Sequence, residues 1–481
     1  MDVEGQVAVG LKWSSLAKFI GQAVSWAITL MVFRLLSPAD YGLMAIGTVL
    51  VGVVAGVAEF GLGASLIQAQ TIDRQELSQV AGALAALNTG CAVIVAAGAP
   101  LFAGMLGDDR LTSVIQVLSA QFLLNAIDAV PQSLAARQMQ FKFVAVLELS
   151  ATLTGCLMTL GLALAGCGVW SLIFGNLAAG LVRTGLYVTL GTFVPPSFRW
   201  GDIGKHLRFG GAITLTRILW QLTYQSDVLI AGRFLSSAAV GLYSVSMHLA
   251  TLPMNKVMGM INQIAFPAVA RLQLELPRMR ERLLTSLRML ALAAIPALWG
   301  ISATAPEFVD VVLGDPWHPA IPALQIVSFV APLRLLAAVL ATALAALGRA
   351  DLELRNTLVS AVALPAAFLI GVRLGITGLA AAWLIATPIV FAINFPPTWR
   401  TLGIGFGQLA ASVRAPVIAG AVMYACVTVA RLPLVQYDEA VRLPFLIAAG
   451  GCGYLGTVYL LDRTIWSEVR RLATAVRGAT V

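Results

Sequence analysis

Runs of about twenty apolar residues recur along the whole chain, parted by short polar or basic connections. That pattern leaves little choice of fold. A helix rises 1.5 Å per residue, so about twenty residues cross a hydrocarbon core roughly 30 Å thick. No water inside the bilayer can satisfy an open backbone, so each run must be helical. The runs fall at 13–34, 42–67, 79–105, 112–134, 143–165, 169–194, 208–232, 238–262, 284–312, 321–347, 355–372, 377–395, 411–430 and 443–461. Only a glycine-containing turn around Leu374–Gly378 divides 355–372 from 377–395. The expected fold class is therefore an all-α integral membrane protein with about fourteen transmembrane helices.

Composition agrees: charged residues are 11% of the 481, and hydrophobic residues 59%. A soluble chain carries roughly 25% charged residues. The net charge of +8 would suit nucleic acid, but the basic residues are scattered through the connections and form no patch for a phosphate backbone. The five cysteines lie in or at the ends of apolar segments without metal-ligand spacing, and the three histidines are far apart. No phosphate loop, zinc-protease helix, nucleophile elbow or paired-carboxylate arrangement occurs, so the sequence offers no cofactor and no enzyme chemistry. The first apolar run lacks a clear cleavage site and reads as a retained span.

Orientation follows from Lys and Arg in the connections. With the N-terminus inside, about twenty fall inside and six outside (Arg34, Arg110, Arg233, Arg373, Arg431 and Arg442), which predicts N-in, C-in topology. An internal repeat is also present. Arg34–Leu43 and Arg233–Leu242 both read R-x-L-S-x-A-x-x-G-L at an offset of 199 residues. Each follows an odd-numbered span, so the two halves run in parallel orientation. The expected organisation is a six-helix bundle over 1–194, a cytoplasmic linker over 195–207, and a second six-helix bundle over 208–395. The bundles would be in pseudo-twofold arrangement, with two further helices and a cytoplasmic tail over 396–481.

Three segments carry a family likeness: the Arg34–Leu43 turn, Arg137-Gln138-Met139-Gln140-Phe141-Lys142-Phe143, and Phe266-Pro267-Ala268-Val269-Ala270-Arg271-Leu272-Gln273. They resemble the polysaccharide-export branch of the multidrug/oligosaccharidyl-lipid/polysaccharide (MOP) flippase superfamily, the Wzx-type flippases. The resemblance implies a transporter of the bacterial cytoplasmic (inner) membrane. Its cargo would be undecaprenyl-diphosphate-linked oligosaccharide for O-antigen, capsule or exopolysaccharide. Its partners would be membrane lipids and polysaccharide polymerase or export proteins. One chain holds both halves of the pathway, so a monomer suffices.

Five cations lie within the spans: Lys18, Arg183, Arg217, Lys256 and Arg334. Each costs about 2.5–3.5 kcal/mol at a helix centre, on the order of 12–18 kcal/mol together if nothing compensates them. The repeat places Lys18 and Arg217 in equivalent positions. A central cationic cavity would use these five to hold the diphosphate. Snorkelling of Lys18 and Lys256 to the interface and pairing of Arg183 and Arg334 with acids are the plainer readings. Glu59 and Asp227 are candidate counter-ions, or coupling sites for H⁺ or Na⁺. Asp128 and Glu148 are expected to pair with the Arg137–Lys142 loop. The competing functions are a cation-coupled multidrug exporter, which would line its cavity with acids, and a membrane glycosyltransferase or polymerase. The enzyme would need a larger outside segment than the dozen residues at 431–442.

Overall fold

A computed structural model describes residues 21–461, apart from 22–23, 60, 64–65, 67–72, 139, 192, 199–203 and 272–275. The side chains of 141, 204–213, 215–217, 255–271, 276 and 350 are also outside the description. Every long described element is a helix. In chain order they begin with α1 (24–35), α2 (Pro38–Glu59), α3 (Arg74–Leu106), α4 (Arg110–Leu118) and α5 (Ala120–Arg137). Next come α6 (Phe141–Leu164), α7 (Val169–Leu190), α8 (Gly204–Phe234), α9 (Ser237–Arg271) and α10 (Leu276–Ala303). A one-turn α11 (Ala305–Phe308), a π-helical turn over 309–313 and a 3₁₀ turn over 315–320 lead into α12 (Ile321–Ala346). The chain continues as α13 (Ala350–Gly371), α14 (Gly375–Leu402), α15 (Phe406–Leu434) and α16 (Glu439–Leu461).

Ten segments among the described residues are long and apolar enough to cross a membrane. One of them, Asp351–Leu402, is two helices, α13 and α14, folded back on each other. The turn expected near Leu374 is thus real. A methyl group on Gly371 would strike the Gly378 carbonyl, so the hairpin closes only because both positions are glycine. Gly375 (φ 72) serves the turn itself, and a methyl group there would meet nothing within 4 Å. Pro131, Pro296, Pro332, Pro365 and Pro388 all lie inside helices, as membrane helices tolerate.

The surface is that of a protein solvated by hydrocarbon. Ile94, Leu101, Ile370, Leu374 and Leu460 are each more than two-thirds exposed. Inside the bundle the hydrophobic effect has little to add, because lipid is as apolar as leucine, so packing itself holds the helices. Thr154, Thr159, Thr189 and Thr357 bond the carbonyl four residues back, which disposes of their hydroxyls without water.

The chain divides into two compact units, Met1–Gly241 and Leu242–Val481. In the first, Leu62, Val80, Leu84, Val130 and Leu134 form a core where α3 meets α5. Asn88 ties α3 to α2 by donating to the Ala58 carbonyl at 3.3 Å. In the second, Leu283, Leu287, Leu335, Leu344, Phe395 and Leu409 join α10, α12, α14 and α15.

The two copies of the repeated decapeptide meet inside the first unit. A methyl group on Gly42 would run into the Ser237 carbonyl, and one on Gly241 into the Pro38 carbonyl. These pairs exchange under the 199-residue offset, so the contact between the first turns of α2 and α9 is reciprocal. Asp108 fastens it: its carboxylate accepts from Ser237 Oγ at 2.5 Å and from Arg110 Nη2 at 2.7 Å. Arg110 holds the Asp108 carboxyl down to about 2, so the clasp is charged at any physiological pH. Gly241→Val is expected to force the two turns apart and to cost about 1–3 kcal/mol as overpacking. Thermal unfolding of the purified variant, with spin labels on Ala39 and Ala238 reporting the separation, checks this. An unchanged distance would show that the backbone absorbs the side chain elsewhere.

Candidate functional site

Where do the expected intramembrane charges stand? Lys18 lies outside the described residues. Arg217 and Lys256 lie on α8 and α9, with side chains outside the description. The two remaining cations are described, and each is held by its own neighbours.

Arg183 projects from α7 onto α5 in the first unit. Its Nε donates to Asp128 Oδ2 at 2.9 Å, and its Nη2 reaches Asn125 Oδ1 at 3.4 Å. Thr184 Oγ1 donates to the same carboxylate oxygen at 3.3 Å. The Asp128 side chain is only 3% exposed, while that of Arg183 is 31% exposed. The expected pairing of Asp128 with the Arg137–Lys142 loop is therefore corrected. Asp128 faces α7 across the helix interface, and Arg137 instead donates to the Leu66 carbonyl at 2.8 Å. The pairing neutralises Arg183, which the five-cation cavity had assigned to diphosphate.

Arg334 on α12 belongs to the second unit. Its guanidinium carbon sits 3.8 Å over the centroid of the Trp383 ring on α14. Away from water such a stack stabilises by about 2 kcal/mol. Trp383 is fully buried; its Nε1–H donates to Tyr243 Oη at 2.9 Å, and Phe368 leans on its ring at 5.0 Å. Arg334 is thus oriented by an aromatic group that carries no charge.

Of the two candidate counter-ions, Glu59 closes α2 in an exposed position. Asp227 on α8 is 1% exposed, and its Oδ1 accepts the Val228 N–H at 2.8 Å.

Two polar groups escaped the sequence reading. Glu307, 1% exposed, is held by Arg431 at 2.7 and 2.9 Å in a two-pronged pair, with Arg442 at 3.7 Å. Its signal was an acid near a span end together with the two arginines that flank the 431–442 segment. The second group is a row of amides facing the Arg183 pair. Gln121, Asn125 and Gln132 share one face of α5, and Gln121 Nε2 donates to Asn176 Oδ1 of α7 at 2.6 Å. Their signal was heptad spacing inside a span, which a search for charges passes over.

The comparisons with known proteins agree with this architecture. The family model described as polysaccharide biosynthesis protein matches residues 31–322. The chain is 25% identical to the lipopolysaccharide biosynthesis protein WzxC of Escherichia coli (strain K12), over 82% of this chain and 81% of that one. It is 26% identical to the succinoglycan biosynthesis transport protein ExoT of Rhizobium meliloti (strain 1021), over 66% and 64%. The structure of the lipid II flippase MurJ in its inward closed conformation superposes with a TM-score of 0.70 at 12% identity, covering 94% of this chain and 99% of that one. The Wzx-type likeness read from the Arg34–Leu43 turn is therefore matched over most of the chain. An all-helical, multi-pass membrane protein with a flippase's fold, this chain belongs to the polysaccharide biosynthesis protein family.

Proposed function

We propose that the protein carries undecaprenyl-diphosphate-linked oligosaccharide across the bacterial cytoplasmic membrane, delivering it for O-antigen, capsule or exopolysaccharide assembly. The observation that carries this reading is the joint match: a polysaccharide biosynthesis family over 31–322, on a fold shared with a lipid II flippase. Transport would proceed by alternating access of two six-helix bundles, 1–194 and 208–395, joined by the linker 195–207. With the two helices of 396–481, the count would be fourteen spans, N-in and C-in.

The diphosphate carries about two negative charges and asks for cations without a resident acid. Arg183 already has Asp128, so Lys18, Arg217 and Lys256 are the better assignment, with Arg334 fixed by Trp383. Glu59 and Asp227 would serve as counter-ions or as sites for a coupling H⁺ or Na⁺.

The test is to replace Lys18 and Arg217 by Gln, singly and together, and to follow the leaflet in which the lipid-linked sugar resides, with insertion checked in parallel. Well-inserted variants should strand it on the cytoplasmic side, and the double variant should be no worse than the poorer single one. Normal export by the double variant would remove both residues from the path.

A further inference from the structure

The amide row has a chemistry of its own. Gln121, Asn125, Asp128 and Gln132 follow one another on α5 at steps of four, three and four, so they form a single stripe. Eleven residues at 1.5 Å make it about 16 Å long, half the hydrocarbon thickness. Asn176 and Arg183, seven apart on α7, continue it across the interface. Gln132 and Asn176 are exposed, while Gln121 and Asn125 are partly so. Amides facing lipid would be left unsatisfied, at a cost of several kcal/mol each on the scale for groups in hydrocarbon. Gln121, Asn125 and Asn176, inside their spans, therefore face something polar, and Gln132, two residues from the end of the 112–134 run, carries the same face on toward the interface.

Binding α5 to α7 explains only part of it. Asn176 spends its carbonyl on Gln121 and keeps its NH₂ group; Gln121 keeps its carbonyl; Gln132 has no partner among the described residues. The stripe is also neutral, because its one cation and one anion are paired. A neutral wall with spare donors and acceptors in alternation suits sugar hydroxyls, which both donate and accept, rather than phosphate.

We infer that Gln121, Asn125, Gln132 and Asn176 form the wall that hydrogen-bonds the hydroxyls of the carried sugar, so that these four residues contribute to glycan preference. The inference rests on the lipid-linked oligosaccharide reading above, and it separates the part of the protein that reads sugar from the cations that hold diphosphate.

Gln132→Leu and Asn176→Leu test it, since leucine inserts readily and Gln132 has no bond to lose among the described residues. The purified protein in lipid nanodiscs would be titrated with two probes. One is undecaprenyl diphosphate; the other is the same lipid bearing the source strain's oligosaccharide, extracted from polymerase-deficient cells. Each variant should bind the sugar-bearing probe about three- to tenfold more weakly, the worth of one hydrogen bond, with the bare lipid unchanged. Equal weakening for both probes, or none for either, would overturn the sugar wall and leave the transport reading standing. A wild-type protein that bound neither probe would instead sink the transport reading, and this inference with it.

Discussion

Glu307→Ala is expected to cost roughly 1–3 kcal/mol of stability, because it takes the buried carboxylate away from Arg431 and Arg442, whose side chains are 26% and 14% exposed. Glu307 is 1% exposed and takes both prongs of Arg431. Arg431 spends its other donor direction on the Ala303 carbonyl at the end of α10. Arg442 lies 3.7 Å from the same carboxylate and also donates to the carbonyls of Leu434, Val435 and Tyr437. One carboxylate thus fastens the end of α15 and the start of α16 to α11. Glu307→Gln keeps the shape and one acceptor but loses the charge, so its cost should fall between alanine and wild type. Arg442→Ala should cost less than Arg431→Ala, because its ion-pair distance is longer. Thermal unfolding of the purified variants ranks them, and proteolysis within 431–442 reports the loosened connection. If Glu307→Ala melts with the wild type, the pocket is wet enough to solvate both arginines.

The fold was legible in the sequence to the extent that lipid demands it. A twenty-residue apolar run has one structural outcome, and even the weakly marked turn at Leu374 was legible from its two glycines, of which Gly375 takes a positive φ. The repeated decapeptide was legible as a pattern, and its reciprocal contact at Gly42 and Gly241 gives the shared glycine of the two copies a physical reason. Charges were legible as residues but not as pairs. Asp128 and Arg183 are 55 positions apart, and Glu307 and Arg431 are 124 apart. Which helices are neighbours decides such pairings, and apolar spans carry almost no record of their neighbours. Trp383 beneath Arg334 was hidden for the same reason: an indole in a span looks like any other apolar residue until a cation is set upon it. The amides of α5 were visible at heptad spacing, but a reading that follows formal charge weighs them too lightly.

Arg183→Leu is the second change expected to act strongly, at roughly 3–5 kcal/mol, since it strands a carboxylate that is 3% exposed. Thr184 would remain to donate to Asp128, but the guanidinium that offsets its charge would be gone. Asp128→Leu should cost less, because the Arg183 side chain is 31% exposed and keeps Asn125 Oδ1 as an acceptor. The double variant should recover most of the loss, as a buried pair replaced by apolar side chains of similar size is often neutral. The double-mutant cycle therefore isolates the pairwise energy, and unfolding of the four proteins measures it. Transport then divides the meaning of the pair. A stable double variant that still exports lipid-linked sugar makes Arg183–Asp128 a clamp between α5 and α7, replaceable by packing. A stable double variant that inserts but fails to export assigns the pair to the path itself. An Arg183→Leu variant that unfolds like the wild type would show that Asp128 is reached by water after all, and the dry-interface argument for both outcomes would go with it.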